Sequence, residues 1–126
     1  ALFDQIIAAQ GVAAKTVPHL SKHLEPAAQC TDVTAVRSGF LQRVATTRLG
    51  QLLGGLGAGR ARVSDQIDPA ISLRMLTRIG DRIDVGQSLA QVFTHAPADV
   101  NAFRECFTIG DEPPIAKSLI VERVSV

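Results

Sequence analysis

Gly80-Asp81-Arg82-Ile83-Asp84-Val85-Gly86-Gln87-Ser88-Leu89 sets two turn signals on either side of a short strand. Gly80 permits a tight turn, Asp81 caps it, and Gly86 with Leu89 reverses the chain and returns it to a core. Leu89-Ala90-Gln91-Val92-Phe93 then continues as a further strand. Upstream, Leu49, Leu52, Leu53 and Leu56 follow the i, i+3, i+4, i+7 spacing of an apolar helical stripe. Thr46 or Thr47 is the expected N-cap. Gly54 and Gly55 weaken the last turn of this helix, and Gly57 or Gly59 should end it. Between helix and turns, Ile71–Leu76 alternates as a strand, with Ile71, Leu73 and Met75 on one side.

The pattern extends in both directions. Ala98–Glu105 suits a helix with Val100 and Phe103 on one side. Cys106–Ile109 and Leu119–Val124 read as strands around the break Asp111-Glu112-Pro113-Pro114. Toward the N-terminus, Val33–Arg37 and Phe40–Val44 are strand-like and flank Ser38-Gly39, so a hairpin is expected. Leu2, Phe3, Ile6, Ile7 and Gln10 share a helical face, and Gly11 stands where a C′ glycine stops a helix. Such a short amphipathic helix needs a partner surface. Residues 12–30 read as a connecting segment with a helical turn near Thr16–His19. The sum is an α+β fold: a small mixed or antiparallel β layer with about three helices. The Gly80–Leu89 block occurs once, so no internal repeat is expected.

The chain has 126 residues, about one domain, and 46% of them are hydrophobic, enough for a packed core. Trp and Tyr are absent and Phe occurs five times, so the core must rest on Leu, Ile, Val and Ala. The formal net charge is +1, with the basic residues scattered. A nucleic-acid surface would cluster them, usually with aromatics for stacking, so no nucleic-acid partner is expected. No apolar run is long enough for a membrane span, and no membrane partner is expected either. The opening residues carry no basic signal-peptide region and no initiating Met, so the chain reads as a piece of something longer. Cys30 and Cys106 have no CxxC neighbour. A disulfide is one alternative; two thiols in a reducing compartment is the reading that cysteine usage favours.

Few residues suggest chemistry on their own. Gly54–Arg60 resembles a phosphate loop only superficially: a Walker loop needs Lys-Ser/Thr after its last Gly, and Arg60-Ala61 stands there instead. A dinucleotide fingerprint opens a helix, whereas these glycines close one. His19 and His23 have i, i+4 spacing but no intervening Glu, no evident third ligand, and Pro18 beside them. His95 stands alone in a loop, so no metal and no cofactor is expected. Asp65, Asp68, Asp81 and Asp84 sit among turn residues, where Asp bonds its own backbone, rather than in a cleft with paired carboxylates. No nucleophile stands in a recognisable elbow.

Five ordered blocks together resemble the C-terminal region of the thymidine/pyrimidine nucleoside phosphorylase family. Ala8-Ala9-Gln10-Gly11 is similar to the family's A-Q-G segment, which ends a helix of the large α/β domain. Gly39-Phe40, Arg48-Leu49-Gly50 and Leu56–Arg60 resemble the run into the L-G-A-G-R signature. Asp65–Pro69 resembles D-x-I-D-P, Gly80–Leu89 resembles G-D-x-V-x-x-G-x-x-L with Ile83 for Val, and Asp111–Pro114 resembles the late D/E-P turn. Val12 and Ile71-Ser72 depart from the family pattern, which suits a divergent member. The Gly80–Leu89 block also resembles biotinyl and lipoyl domains, but a carrier presents Lys at an exposed hairpin tip, and Lys15, Lys22 and Lys117 stand elsewhere.

The resemblance implies residues 1–30 as the end of the large α/β domain with its connecting segment, and 31–126 as a C-terminal α+β domain of α/β-hammerhead-like form. It implies a pentosyltransferase that reversibly phosphorolyses thymidine to thymine and 2-deoxyribose 1-phosphate, with phosphate as co-substrate. The implied enzyme is a cytoplasmic homodimer formed through an upstream domain, and this chain alone is inactive. No catalytic or substrate-binding residue of the family maps onto this chain. Gly57, Ala58, Gly59 and Arg60 are the candidates for an interdomain contact that helps close the cleft: the glycines allow close backbone approach, and Arg60 offers a guanidinium to carbonyls or a carboxylate. The alternative for Arg60 is a cation at the end of its own helix. The alternative for the whole chain is a stand-alone, non-catalytic hammerhead-like binding module related to biotinyl and lipoyl domains.

Overall fold

The computed structural model describes residues 2–11, 25–60 and 62–115. In chain order it contains helix α1 (Leu2–Ala9), strands β1 (Gln29–Thr34) and β2 (Gly39–Val44), helix α2 (Thr46–Leu53), strands β3 (Ser72–Met75), β4 (Arg82–Ile83) and β5 (Ser88–Thr94), helix α3 (Val100–Arg104), and strand β6 (Phe107–Gly110). The expected α+β class is what forms. The strands make two antiparallel three-stranded sheets, β1-β5-β3 and β4-β2-β6.

Successive strands alternate between sheets, which corrects the expected hairpin. β1 pairs with β5 and β2 pairs with β4 and β6, so the two never lie side by side. The physical reason lies at the corner between them. The Ala35 N–H donates to the Gln87 carbonyl and the Gly86 N–H donates to the Ala35 carbonyl, so the Val85-Gly86 turn captures the chain where a hairpin turn would have begun. Strand β1 also starts at Gln29 and ends at Thr34, earlier than Val33–Arg37, leaving Val36 and Arg37 exposed in the crossover. Gly39 then takes φ 148°, and a Cβ there would meet the Gly110 carbonyl oxygen at 2.4 Å. Only glycine permits the close approach of β2 to β6.

The core lies between the sheets and the two helices α2 and α3. Val33, Leu41, Ile83, Leu89, Ala90, Val92, Phe103, Cys106 and Phe107 form it, with Leu49 from α2. Strand β5 is the centre of its sheet, and Ala90, Val92 and Thr94 alternate inward along it. Asp99 caps α3, its Oδ1 accepting from the N–H groups of Asn101 and Ala102 at 3.0 and 3.2 Å. Arg104, in the last turn of α3, reaches back to donate from Nε to the Thr34 carbonyl at 2.9 Å, fastening the helix to the irregular end of β1. Helix α2 begins after Ala45 without a side-chain cap, so neither Thr46 nor Thr47 plays the expected part.

Helix α1 forms as expected, ending in Gly11 with φ 91°. None of its residues is buried, and Leu2, Phe3 and Ile6 are largely exposed. The expected turn at Thr16–His19, the pair His19 and His23, and the strand Leu119–Val124 lie outside the described residues. Cys30 is exposed, Cys106 is buried, and both are thiols.

Candidate functional site

Helix α2 does not stop at Leu53. It widens into a π-type turn, Gly54–Ala58, and ends at Gly57, whose φ of 111° breaks the helical path as a C-terminal glycine should. Gly59 follows in extended conformation, and Arg60 is exposed. A Cβ on Gly57 would stand 3.3 Å from Ile71 Cδ1, so the turn lies closely on the buried start of the β3 segment. Arg60 lies beyond the last helical turn and makes no hydrogen bond or ion pair with another described residue. Its guanidinium is therefore not spent on the end of α2.

The Gly57 carbonyl accepts the Asp68 N–H at 2.9 Å. This bond joins the two sequence blocks Leu56–Arg60 and Asp65–Pro69. Asp68 is half-buried, and all four of its polar atoms are engaged. Its N–H holds Gly57 and its carbonyl accepts the Ile71 N–H at 3.3 Å. Its Oδ1 accepts the Ala70 N–H at 2.9 Å, and its Oδ2 lies 2.9 Å from His95 Nε2. The expectation that these aspartates shape turns holds where carboxylates are seen at work: Asp65 Oδ2 accepts the Arg62 N–H at 2.7 Å and Asp81 Oδ2 accepts the Arg78 N–H at 2.7 Å. In the Asp84 turn the roles are reversed, the Asp84 N–H donating to Gln87 Oε1 at 2.9 Å.

His95 was expected to stand alone; it does not. The antiparallel register explains the meeting. Ser72 pairs with Phe93, so the residues before β3 run alongside those after β5, and Asp68 reaches the end of β5 where Thr94 Oγ1 donates to the Ala96 carbonyl. The 27-residue separation hides this pair from any local motif, and only the pairing of Ile71–Leu76 with Leu89–Phe93 would have revealed it.

A second feature was not legible. An open apolar groove of about 630 Å³ runs between α2 and β3, walled by Leu49, Leu53, Leu73, Met75, Ile79 and Val44. Met75, Leu76 and Ile79 are each at least 40% exposed. The groove begins on the helix that carries the Gly57 turn. Among the described residues no group of three or more His, Cys, Asp and Glu is arranged to hold a metal. No helix among them is long and apolar enough to cross a membrane.

Two small antiparallel sheets, a helix ending in a glycine turn, and aspartates that cap turns and the start of α3 make up a small α+β domain. Residues 40–109, more than half of the chain, match the family described as "Pyrimidine nucleoside phosphorylase C-terminal domain", and the chain belongs to that family. Among curated relatives, the thymidine phosphorylase of Mesorhizobium japonicum is 32% identical over 98% of this chain and 29% of its own length. That of Agrobacterium fabrum is 30% identical over the same shares. That of Burkholderia cenocepacia strain HI2424 is 36% identical over 86% of this chain and 26% of its own length. The chain thus spans less than a third of the relatives it matches.

Proposed function

We propose that this chain is the C-terminal part of a thymidine (pyrimidine nucleoside) phosphorylase, which reversibly converts thymidine and phosphate to thymine and 2-deoxyribose 1-phosphate. The observation that carries this reading is the match to relatives bearing that name across nearly the whole chain, together with the family match at residues 40–109. Phosphate attacks the anomeric carbon, the bond to the base breaks, and no cofactor is required. The catalytic groups belong to the part of the enzyme that this chain does not include. The domain's own part is to support closure of the cleft, with Gly57–Arg60 facing the catalytic body. Closure of this kind excludes water from the reacting centre. The exposed Arg60, which bonds to no other described residue, the apolar groove beside α2 and the exposed apolar face of α1 favour packing against such a body. We further place the enzyme in the cytoplasm as a homodimer assembled through the upstream part. A stand-alone carrier module is not favoured, because no lysine stands anywhere between Gly80 and Leu89.

The test is an assay of the full-length enzyme with thymidine, with and without inorganic phosphate. Thymine release that requires phosphate, and that is lost when residues 31–126 are deleted while the remainder stays folded, is the expected result. Absence of phosphorolysis of thymidine and of uridine in the intact protein would overturn the reading.

A further inference from the structure

We propose that His95 is a positioning residue for the Gly54–Gly59 turn and acts through Asp68. Leu56 packs the turn against the core, Gly57 lies close to Ile71, and one backbone bond, from the Asp68 N–H to the Gly57 carbonyl, ties the glycine end of the turn to the segment before β3. The direction of that N–H depends on the conformation of Asp68, which its carboxylate fixes at two points. Oδ1 is held by the Ala70 N–H, a local bond that any Asp-Pro turn can make. Oδ2 is held by His95, which follows β5, the strand paired with β3, and is the only long-range side-chain tie to Asp68 among the described residues. An ionised carboxylate only accepts, so Nε2 carries a proton in this contact. His95 itself is placed by the end of β5, where buried Thr94 bonds the Ala96 carbonyl and shapes the bend that carries the imidazole.

The pair is partly exposed, with the side chains of His95 and Asp68 at 57% and 39%. It is therefore a modest tie, suited to biasing a turn rather than to holding the fold. Its bearing on catalysis rests on the reading that Gly57–Arg60 faces the catalytic body; the positioning itself does not.

Amide hydrogen exchange on the full-length protein tests this, followed in peptides that cover 54–60 and 65–71. His95→Ala should speed exchange there by about two- to fivefold, the range expected for a partly exposed side-chain tie, and leave β2 and β6 unchanged. His95→Gln, which keeps a donor toward Oδ2, should restore most of the protection. The double variant His95→Ala/Asp68→Asn should exchange no faster than Asp68→Asn, since both changes remove the same tie. Unchanged exchange in His95→Ala would overturn the proposal. So would a rise spread over both sheets, a failure of Gln to rescue, or additive effects in the double variant. Measuring kcat/KM on the same proteins keeps the two readings apart: altered local exchange with unaltered kcat/KM supports the positioning role and removes the turn from catalysis.

Discussion

At the scale of single residues, Cys106 shows how burial sets chemistry. It is 2% exposed, and its thiol donates to the Ala102 carbonyl at 3.5 Å. Burial pushes the thiol above its ordinary value of 9.0, with Arg48 pulling it down and Glu105 pushing it up. The folded state thus prefers the neutral thiol. The resulting stabilisation is fully present below pH 9.0 and disappears as pH rises through the elevated folded-state value. Comparing wild type with Cys106→Ala by urea unfolding should give a stability difference that is flat to about pH 9 and shrinks above it. Exposed Cys30 should be alkylated well before Cys106 under native conditions. Equal alkylation rates at neutral pH, or a difference that is flat up to pH 11, would contradict the burial argument.

At the scale of elements, local signals were legible where one segment decides its own conformation. The Leu49–Leu56 stripe became α2, Gly57 ended it, and the Gly80–Leu89 block became two turns around β4, with Gly80 and Gly86 at φ 99° and 81°. What failed was pairing. The alternation near Val33 and Phe40 fixes strands but does not say which sheet each one joins, and the capture of Ala35 by Gly86 and Gln87 lies some fifty residues away in sequence. The Asp68–His95 contact was hidden for the same reason: register is a property of two strands. Gly39 carries a test of this crossover. Its φ of 148° lies where side chains are strained, and a Cβ would strike the Gly110 backbone and Ile109 Cγ2. Gly39→Ala should therefore cost about 2–4 kcal/mol in denaturant unfolding, by strain and forced separation of β2 from β6. Gly50→Ala, in the middle of α2 with open space around it, should instead stabilise by about 0.5–1 kcal/mol. A Gly39→Ala loss below that of an ordinary surface substitution would show that β2 and β6 do not approach as described.

At the scale of the whole molecule, the domain's finished interior contrasts with its unfinished surface. The core residues reach near-complete burial, yet Val63 is 96% exposed, Ile79 57%, and α1 buries nothing. Curated relatives extend more than three times as far as this chain, which supplies a reason for surfaces that await a partner. Arg60 is the sharpest probe of that idea, because it stands next to the Gly57–Gly59 turn and bonds to no other described residue. Losing its guanidinium removes no hydrogen bond or ion pair with another described residue. Arg60→Ala in the full-length protein should therefore leave Tm within about a degree of wild type, as most exposed surface substitutions do. If Arg60 meets carbonyls or a carboxylate of the catalytic body, kcat/KM should fall about three- to tenfold, the loss of roughly one kcal/mol of charged contact. Arg60→Lys should recover only part of that loss, since a single ammonium lacks the planar fork. Steady-state kinetics beside thermal unfolding separates the cases: a fall in both points to a structural tie within the protein, and no change in either removes Arg60 from the mechanism.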